Sequence, residues 1–195
     1  NNIIICHDIA YSELAFENYK PCSILQLAEA RSCCVEFHSL SKSFNMAGCR
    51  IGFVVGNAEI ISNLAKIKSN IDFGIFKPLL EAGIAALTGP QEEVCNNAAK
   101  YERRRNILVD GLNELGWRVQ KPKASMFVWA KLPEGYSDSF AFTEKLLQEA
   151  GVLVVPGVAF GRNGEGYVRF ALVQEEERLK EAVRRIKATN IIKQG

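Results

Sequence analysis

Apolar residues follow two rhythms along this chain. Short runs rich in β-branched and aromatic side chains, bounded by glycine or polar residues, predict strands at 3–7 (IIICH, closing at Asp8), 34–39 (CVEFHS) and 50–55 (RIGFVV). Residues 24–31 (ILQLAEAR) predict a short helix, and the 3.6-residue spacing in AEIISNLAKIKS and PLLEAGIAALTG predicts two more. Pro78 suits a first helical turn, and Gly89-Pro90 is a stop. From Gln91 to Leu115 runs a long polar helix with a stripe at Ile107, Leu108, Leu112 and Leu115, ended by Gly116. At 1.5 Å per residue it would extend about 40 Å, long enough to tie two lobes together. Beyond it, RVQKP, MFVWAKL, VLVVP and YVRFALV predict strands, with helices SFAFTEKLLQEA and EEERLKEAVRRIKA between and after them.

The pattern predicts an α/β protein in two parts: residues 1–92 as an incomplete sheet layer flanked by helices, and residues 93–195 as a small α+β domain entered by the long helix. The chain opens NNIIICHD, with a strand-like run at its third residue, which raises the expectation of a piece of a longer polypeptide.

Composition narrows the picture. With 48% apolar and 24% charged residues the chain reads as globular, and a net charge of +2 gives no global argument for nucleic acid or membrane partners. No apolar run approaches the length of a transmembrane helix. The six cysteines fit no zinc spacing, and Cys33 and Cys34 are adjacent; buried, reduced thiols of a cytoplasmic protein are expected.

Candidate chemistry concentrates at strand ends. Asp8 closes a hydrophobic strand, where open α/β sheets bind ligands, and a carboxylate there can meet a cationic group; a turn-capping aspartate is the alternative. Tyr11 follows three residues later. Ser39, Ser41 and Lys42 follow the second strand. A lysine partly withdrawn from water attacks carbonyls as the free amine, and hydroxyls beside it can donate to a phosphate. Arg50, eight residues on, offers a fork of donors that suits phosphate. Asp8, Tyr11, Ser39, Lys42 and Arg50 together supply an anion, a phenol, a hydroxyl, an amine and a guanidinium, the groups that a pyridoxal phosphate pocket needs. Arg169 sits within an apolar strand, as a clamp for a substrate carboxylate or as an ion-pair partner of Glu175 or Glu176.

The stretches HDIAYSELAF, HSLSKSFNMAGCRIGF and PGVAFGRNGEGYVRFAL, in this order, resemble the C-terminal half of class I/II (fold-type I) pyridoxal phosphate-dependent aminotransferases. EFHSLSKSFNMAG, NIDFGIF and EAGIAALTGPQ most resemble the LL-diaminopimelate aminotransferase branch. Cys49 stands where relatives often carry tryptophan and Glu81 where glutamine is expected, and both bear on the substrate. The resemblance implies that residues 1–92 are the C-terminal part of the cofactor-binding large domain and 93–195 the small domain. It implies Lys42 as the Schiff-base lysine and proton carrier, Asp8 on the pyridinium nitrogen, and Tyr11 on the ring oxygen. Ser39 and Arg50 would then hold the phosphate, and Arg169 the substrate's α-carboxylate. It further implies amino acid and 2-oxo acid substrates, a role in amino acid biosynthesis in the cytoplasm, and a homodimer with residues 69–76 near the neighbour's site. No metal is expected. Another reaction of the same cofactor, a lyase or decarboxylase, remains open, as does the sensor domain of a regulator. His7 and His38 are expected as satisfied core or supporting histidines, GRNGEG as a loop, ERRRN as a solvated or ion-paired face, and Trp117 and Trp129 as core.

Overall fold

The computed structural model describes residues 3–192, which form two compact units that divide between Ala99 and Lys100. The first is built on a three-stranded sheet of order β1 (Ile5–Asp8), β2 (Cys34–Ser39), β3 (Gly52–Gly56). β1 runs parallel to β2, with Asp8 level with Phe37; β3 is antiparallel, with Gly52 level with Ser39. This register gathers the carboxyl ends of β1 and β2 and the start of β3 at one end of the sheet.

Helix α1 (Leu40–Ser43) follows β2, then α2 (Ala58–Ile71) and α3 (Lys77–Thr88) follow β3. Asn57 caps α2 by accepting from the Ile60 amide at 3.0 Å, and Pro78 lies in the first turn of α3. The buried core of this unit is small, with Leu14, Phe16, Val35, Leu40 and Ile51 as its large members. The apolar stripe of α3 at Leu80, Ile84 and Leu87 stays exposed.

The helix predicted over 24–31 is instead two 3₁₀ turns, Ile24–Gln26 and Glu29–Ser32. The Glu36 carboxylate takes the Ile24 amide at 2.6 Å and the Ser23 hydroxyl takes Leu25 N at 3.2 Å, and Leu27 between the turns is extended. Tertiary and capping bonds here outcompete helix propensity.

Helix α4 (Glu92–Glu114) runs through the division of the two units. The second unit holds β4 (Phe127–Lys131), α5 (Ser139–Ala150), β5 (Val155–Pro156), β6 (Tyr167–Ala171) and α6 (Glu176–Lys187), with an antiparallel sheet of order β4-β6-β5. Asp138 caps α5 through bonds from Phe140 N and Ala141 N, and Gly151 ends it in the left-handed conformation. One face of the sheet, with Val128, Ala130, Val168 and Phe170, packs in a core with Leu108, Trp117, Phe142, Leu146 and Ile186.

Three expectations for this unit change. RVQKP forms no strand, because the Asn113 amide bonds both Val119 N and Val119 O and Arg105 Nη1 donates to Pro122 O. Of VLVVP only Val155–Pro156 pairs, since Val152 N turns back to Leu146 O and closes α5. Trp129 is on the sheet face away from the core and exposed. ERRRN is the ion-paired one of its two expected faces: Arg103 Nε meets Glu176 at 2.9 Å and the buried Arg104 meets Glu175 through Nη2 at 2.8 Å, with Arg105 buried as well. The cysteines are free, but Cys6, Cys22 and Cys95 are exposed rather than buried.

Candidate functional site

In the first unit, strand alternation sets Asp8, Phe37 and Ser39 on one face of the sheet, and His7, Glu36 and His38 on the other. Asp8 is exposed, and among the described residues its carboxylate takes only a long bond from Ala10 N at 3.4 Å. The chain then turns through Ser12 N to Ile9 O and Leu14 N to Tyr11 O, anchored by buried Leu14 and Phe16, with Tyr11 half-buried in the turn.

Ser39 ends β2 and caps α1, its hydroxyl accepting from Ser41 N at 3.2 Å. Leu40, Ser41 and Ser43 are buried, Lys42 is half-buried, and among the described residues nothing pairs with the Lys42 amine. The backbone that carries this lysine is pinned on several sides. Leu40 N bonds Ile51 O at 3.1 Å, the Ser43 hydroxyl donates to Ser39 O at 3.1 Å, and Asn97 Nδ2 on α4 donates to Lys42 O at 2.8 Å. Arg50 sits just before β3 in the left-handed region (φ 53°), and its Nη1 bonds Ala47 O at 3.0 Å. A non-glycine residue pays about 1 kcal/mol or more to sit there. That strain turns the chain immediately before Gly52, the partner of Ser39. Asp8, Ser39, Lys42 and Arg50 thus lie at one end of one sheet.

Asn97 has no sequence signal, because it lies 55 residues from Lys42 on a polar helix. Asn97→Leu leaves the Lys42 carbonyl without its donor. The expected loss is about 1 kcal/mol, read as faster amide exchange over residues 40–46; unchanged exchange there would rule out the pin.

Glu36 also escaped sequence reading. It is 2% exposed and accepts from Ile24 N at 2.6 Å, His7 Nδ1 at 3.0 Å and His38 Nε2 at 3.3 Å. Burial pushes its carboxyl up, but the bonds from His7, Ser23, Ile24 and His38 outweigh this and hold it below the usual 4.5. Both histidines are satisfied structural groups, as expected, and His38 stacks on Phe53 at 4.8 Å.

In the second unit, Arg169 is level with Trp129 on one side and Val155 on the other, on the sheet face opposite the core. The arginine is therefore not in the strand's buried row, as its apolar neighbours suggested. Glu175 is taken by Arg104 at 2.8 Å and Glu176 by Arg103 at 2.9 Å. Among the described residues Arg169 has no acidic partner, and its buried Nε has no hydrogen bond. Its guanidinium carbon lies 4.2 Å from the Phe127 ring centroid and 4.4 Å from that of Phe160. An arginine held by rings keeps its donors available, which a planar carboxylate can use.

The sequence pattern of class I and II aminotransferases matches residues 1–186. The chain is 51% identical over 189 residues to the glutamate-pyruvate aminotransferase AlaC of Escherichia coli, covering 96% of this chain and 46% of that protein. It is 48% identical to the LL-diaminopimelate aminotransferase of Moorella thermoacetica, covering 95% and 47% of the two chains. Among solved structures, substrate-bound BacF from Bacillus subtilis superposes with a TM-score of 0.91 at 38% identity, over 96% of this chain and 48% of that one. The aromatic aminotransferase of Pyrococcus horikoshii gives 0.90 at 31%, over 96% and 50%. The chain spans about half the length of the relatives it matches.

Proposed function

This chain belongs to the class I and II aminotransferase family, and on that premise we propose that the polypeptide carrying it moves an amino group between an amino acid and a 2-oxo acid with pyridoxal phosphate. The observation that carries the reading is that Asp8, Ser39, Lys42 and Arg50 share one end of one sheet, with the Lys42 amine unpartnered among the described residues. The donor set fits the cofactor: an exposed carboxylate with no cation among the described residues, an amine, a hydroxyl and a guanidinium at one end of the sheet. Bound there, pyridoxal phosphate supplies a ring that withdraws electrons from the substrate's α-carbon. Asp8 holds its negative charge toward the pyridine nitrogen, and Tyr11 donates to the ring oxygen. Ser39 and Arg50 bind the phosphate. Lys42 would hold the cofactor through its amine and would move the proton at the substrate's α-carbon. Arg169 grips the α-carboxylate.

Residues 1–92 are the C-terminal part of the cofactor-binding domain and 93–195 the small domain in this reading. It includes a homodimer, for which exposed Phe73 and Phe76 in the 69–76 segment offer apolar contact area, and a role in amino acid biosynthesis in the cytoplasm. No helix among the described residues is long and apolar enough to cross a membrane. The relatives' names span glutamate, pyruvate and LL-diaminopimelate, and LL-diaminopimelate with 2-oxoglutarate is the pair proposed.

The test loads a polypeptide spanning the relatives' whole length with pyridoxal phosphate. It is then offered glutamate, alanine and LL-diaminopimelate without a 2-oxo acid. One equivalent of 2-oxo acid per site is expected from a true donor; no 2-oxo acid from any amino acid would refute transamination. Arg169→Met is expected to raise KM for both amino and 2-oxo acids roughly 10- to 100-fold, the cost of a lost charged hydrogen-bond pair.

A further inference from the structure

We propose that Phe127 and Phe160 are positioning residues that hold the Arg169 guanidinium ready for a carboxylate without consuming its hydrogen-bond donors. The inference rests on the reading of Arg169 as the carboxylate clamp.

An arginine on a half-buried sheet face needs something to fix it. An acidic partner would do so by occupying the donors that a substrate carboxylate requires. Here Glu175 and Glu176 are committed to Arg104 and Arg103, and Glu165, nearer in sequence, accepts from Ser139 N and Gly166 N. Two rings contact the guanidinium instead, at 4.2 and 4.4 Å. A ring attracts the cation through its quadrupole and accepts none of its in-plane N–H groups. The charge is steered while, among the described residues, no acceptor takes the guanidinium's donors.

Both rings are themselves fixed. Phe127 lies on β4, on the Arg169 face of the sheet. Phe160 is half-exposed, at the end of the 3₁₀ turn Gly157–Phe160, yet that turn is built to stay in place. Gly157 and Gly164 press backbone to backbone, each facing the other's carbonyl so closely that no side chain fits at either position. Val158 N donates to the Ser139 hydroxyl at 3.3 Å, and Ser139 N donates to Glu165 at 2.6 Å. Trp129 backs Phe160 edge-on at 5.6 Å and stacks on Tyr167 at 5.5 Å. A half-exposed phenylalanine on a turn locked this tightly has a rigid ring to offer, and Arg169 is what the ring meets.

The experiment compares Phe160→Leu, which keeps apolar bulk without a π face, with Phe160→Tyr, which keeps the face. In nitrogen-15 spectra of the 195-residue chain, the Arg169 Nε–H signal, assigned by its loss in Arg169→Lys, is expected upfield through ring currents. Phe160→Leu should return it toward the position of an ordinary arginine, and Phe160→Tyr should not. In the cofactor-loaded polypeptide, Phe160→Leu should raise KM for both carboxylate substrates about fivefold with kcat nearly unchanged. It should add nothing in an Arg169→Met background. A Phe160→Leu variant that leaves the Arg169 signal and both KM values in place, while Arg169→Met raises them, overturns the positioning role alone. If Arg169→Met itself leaves KM unchanged, the clamp reading falls and the positioning role falls with it.

Discussion

Replacing Lys42 with alanine is expected to abolish covalent attachment of pyridoxal phosphate and to cut transamination about ten-thousand-fold, the scale on which a combined nucleophile and proton carrier acts. The site gives the reason. The half-buried amine stands one helical turn past Ser39 with no partner among the described residues, and its backbone is tied by Leu40 N, Ser43 and Asn97. Attachment can be read on the 195-residue chain itself, by incubation with pyridoxal phosphate, borohydride reduction and peptide mass analysis. The label should fall on Lys42 and vanish from that peptide in Lys42→Ala. Modification spread evenly over surface lysines in both proteins would sink the assignment. The rate effect is measured on a polypeptide of the relatives' whole length, because this chain spans about half of it. Lys42→Arg separates charge from chemistry, since it keeps the cation but lacks a nucleophilic amine; it should fail as completely as alanine.

The strand-end residues were legible because they obey local rules. CVEFHS reads as a strand and forms one with the predicted bounds, so whatever follows it, SLSK, must sit at a carboxyl end. Asp8 likewise closes its strand, which forms over Ile5–Asp8 and not from residue 3, and the long helix ends before Gly116, over Glu92–Glu114. What sequence could not show are bonds that one distant side chain imposes on another segment's backbone. Asn113 takes both polar groups of Val119 and removes a strand; Glu36 takes Ile24 N and breaks a helix into turns. Arg169 fails in a subtler way. Its flanking Val168 and Phe170 suggested a buried strand, but alternation sends those two inward and the arginine outward, beside Trp129. A two-residue period was present in YVRFA, and the bulky Tyr167 and Trp129 masked it, since aromatic residues on the outer face read as core. The two rings against Arg169 come from the neighbouring strand β4 and from a turn, a convergence that no local pattern encodes.

Glu36 carries the largest structural consequence. Glu36→Leu is expected to destabilise the first unit by about 3 kcal/mol, because it leaves Ile24 N and two imidazoles without their acceptor while the side-chain volume is kept. Hydrogen exchange should accelerate in β1, in β2 and at Ile24, and the first unit should melt at lower urea than the second, whose core contains none of these residues. Acidity gives the sign of the effect independently. The folded carboxyl lies below its usual 4.5, since the bonds from His7, Ser23, Ile24 and His38 prevail over the burial that would raise it. A folded value below the unfolded one means that the unfolded state binds the proton more readily. The contribution of Glu36 is therefore complete above the unfolded value and drains away as pH falls through the folded one. The stability gap between wild type and Glu36→Leu should hold steady down to about pH 5 and shrink toward about pH 3. A gap that stays constant across that interval would mean that Glu36 is not an ionised acceptor. The junction of β1 and β2 that presents Asp8 beside Ser39 would then need another source of rigidity. If the gap closes as expected, one buried carboxylate on the far face of the sheet keeps Asp8 and Ser39 in register.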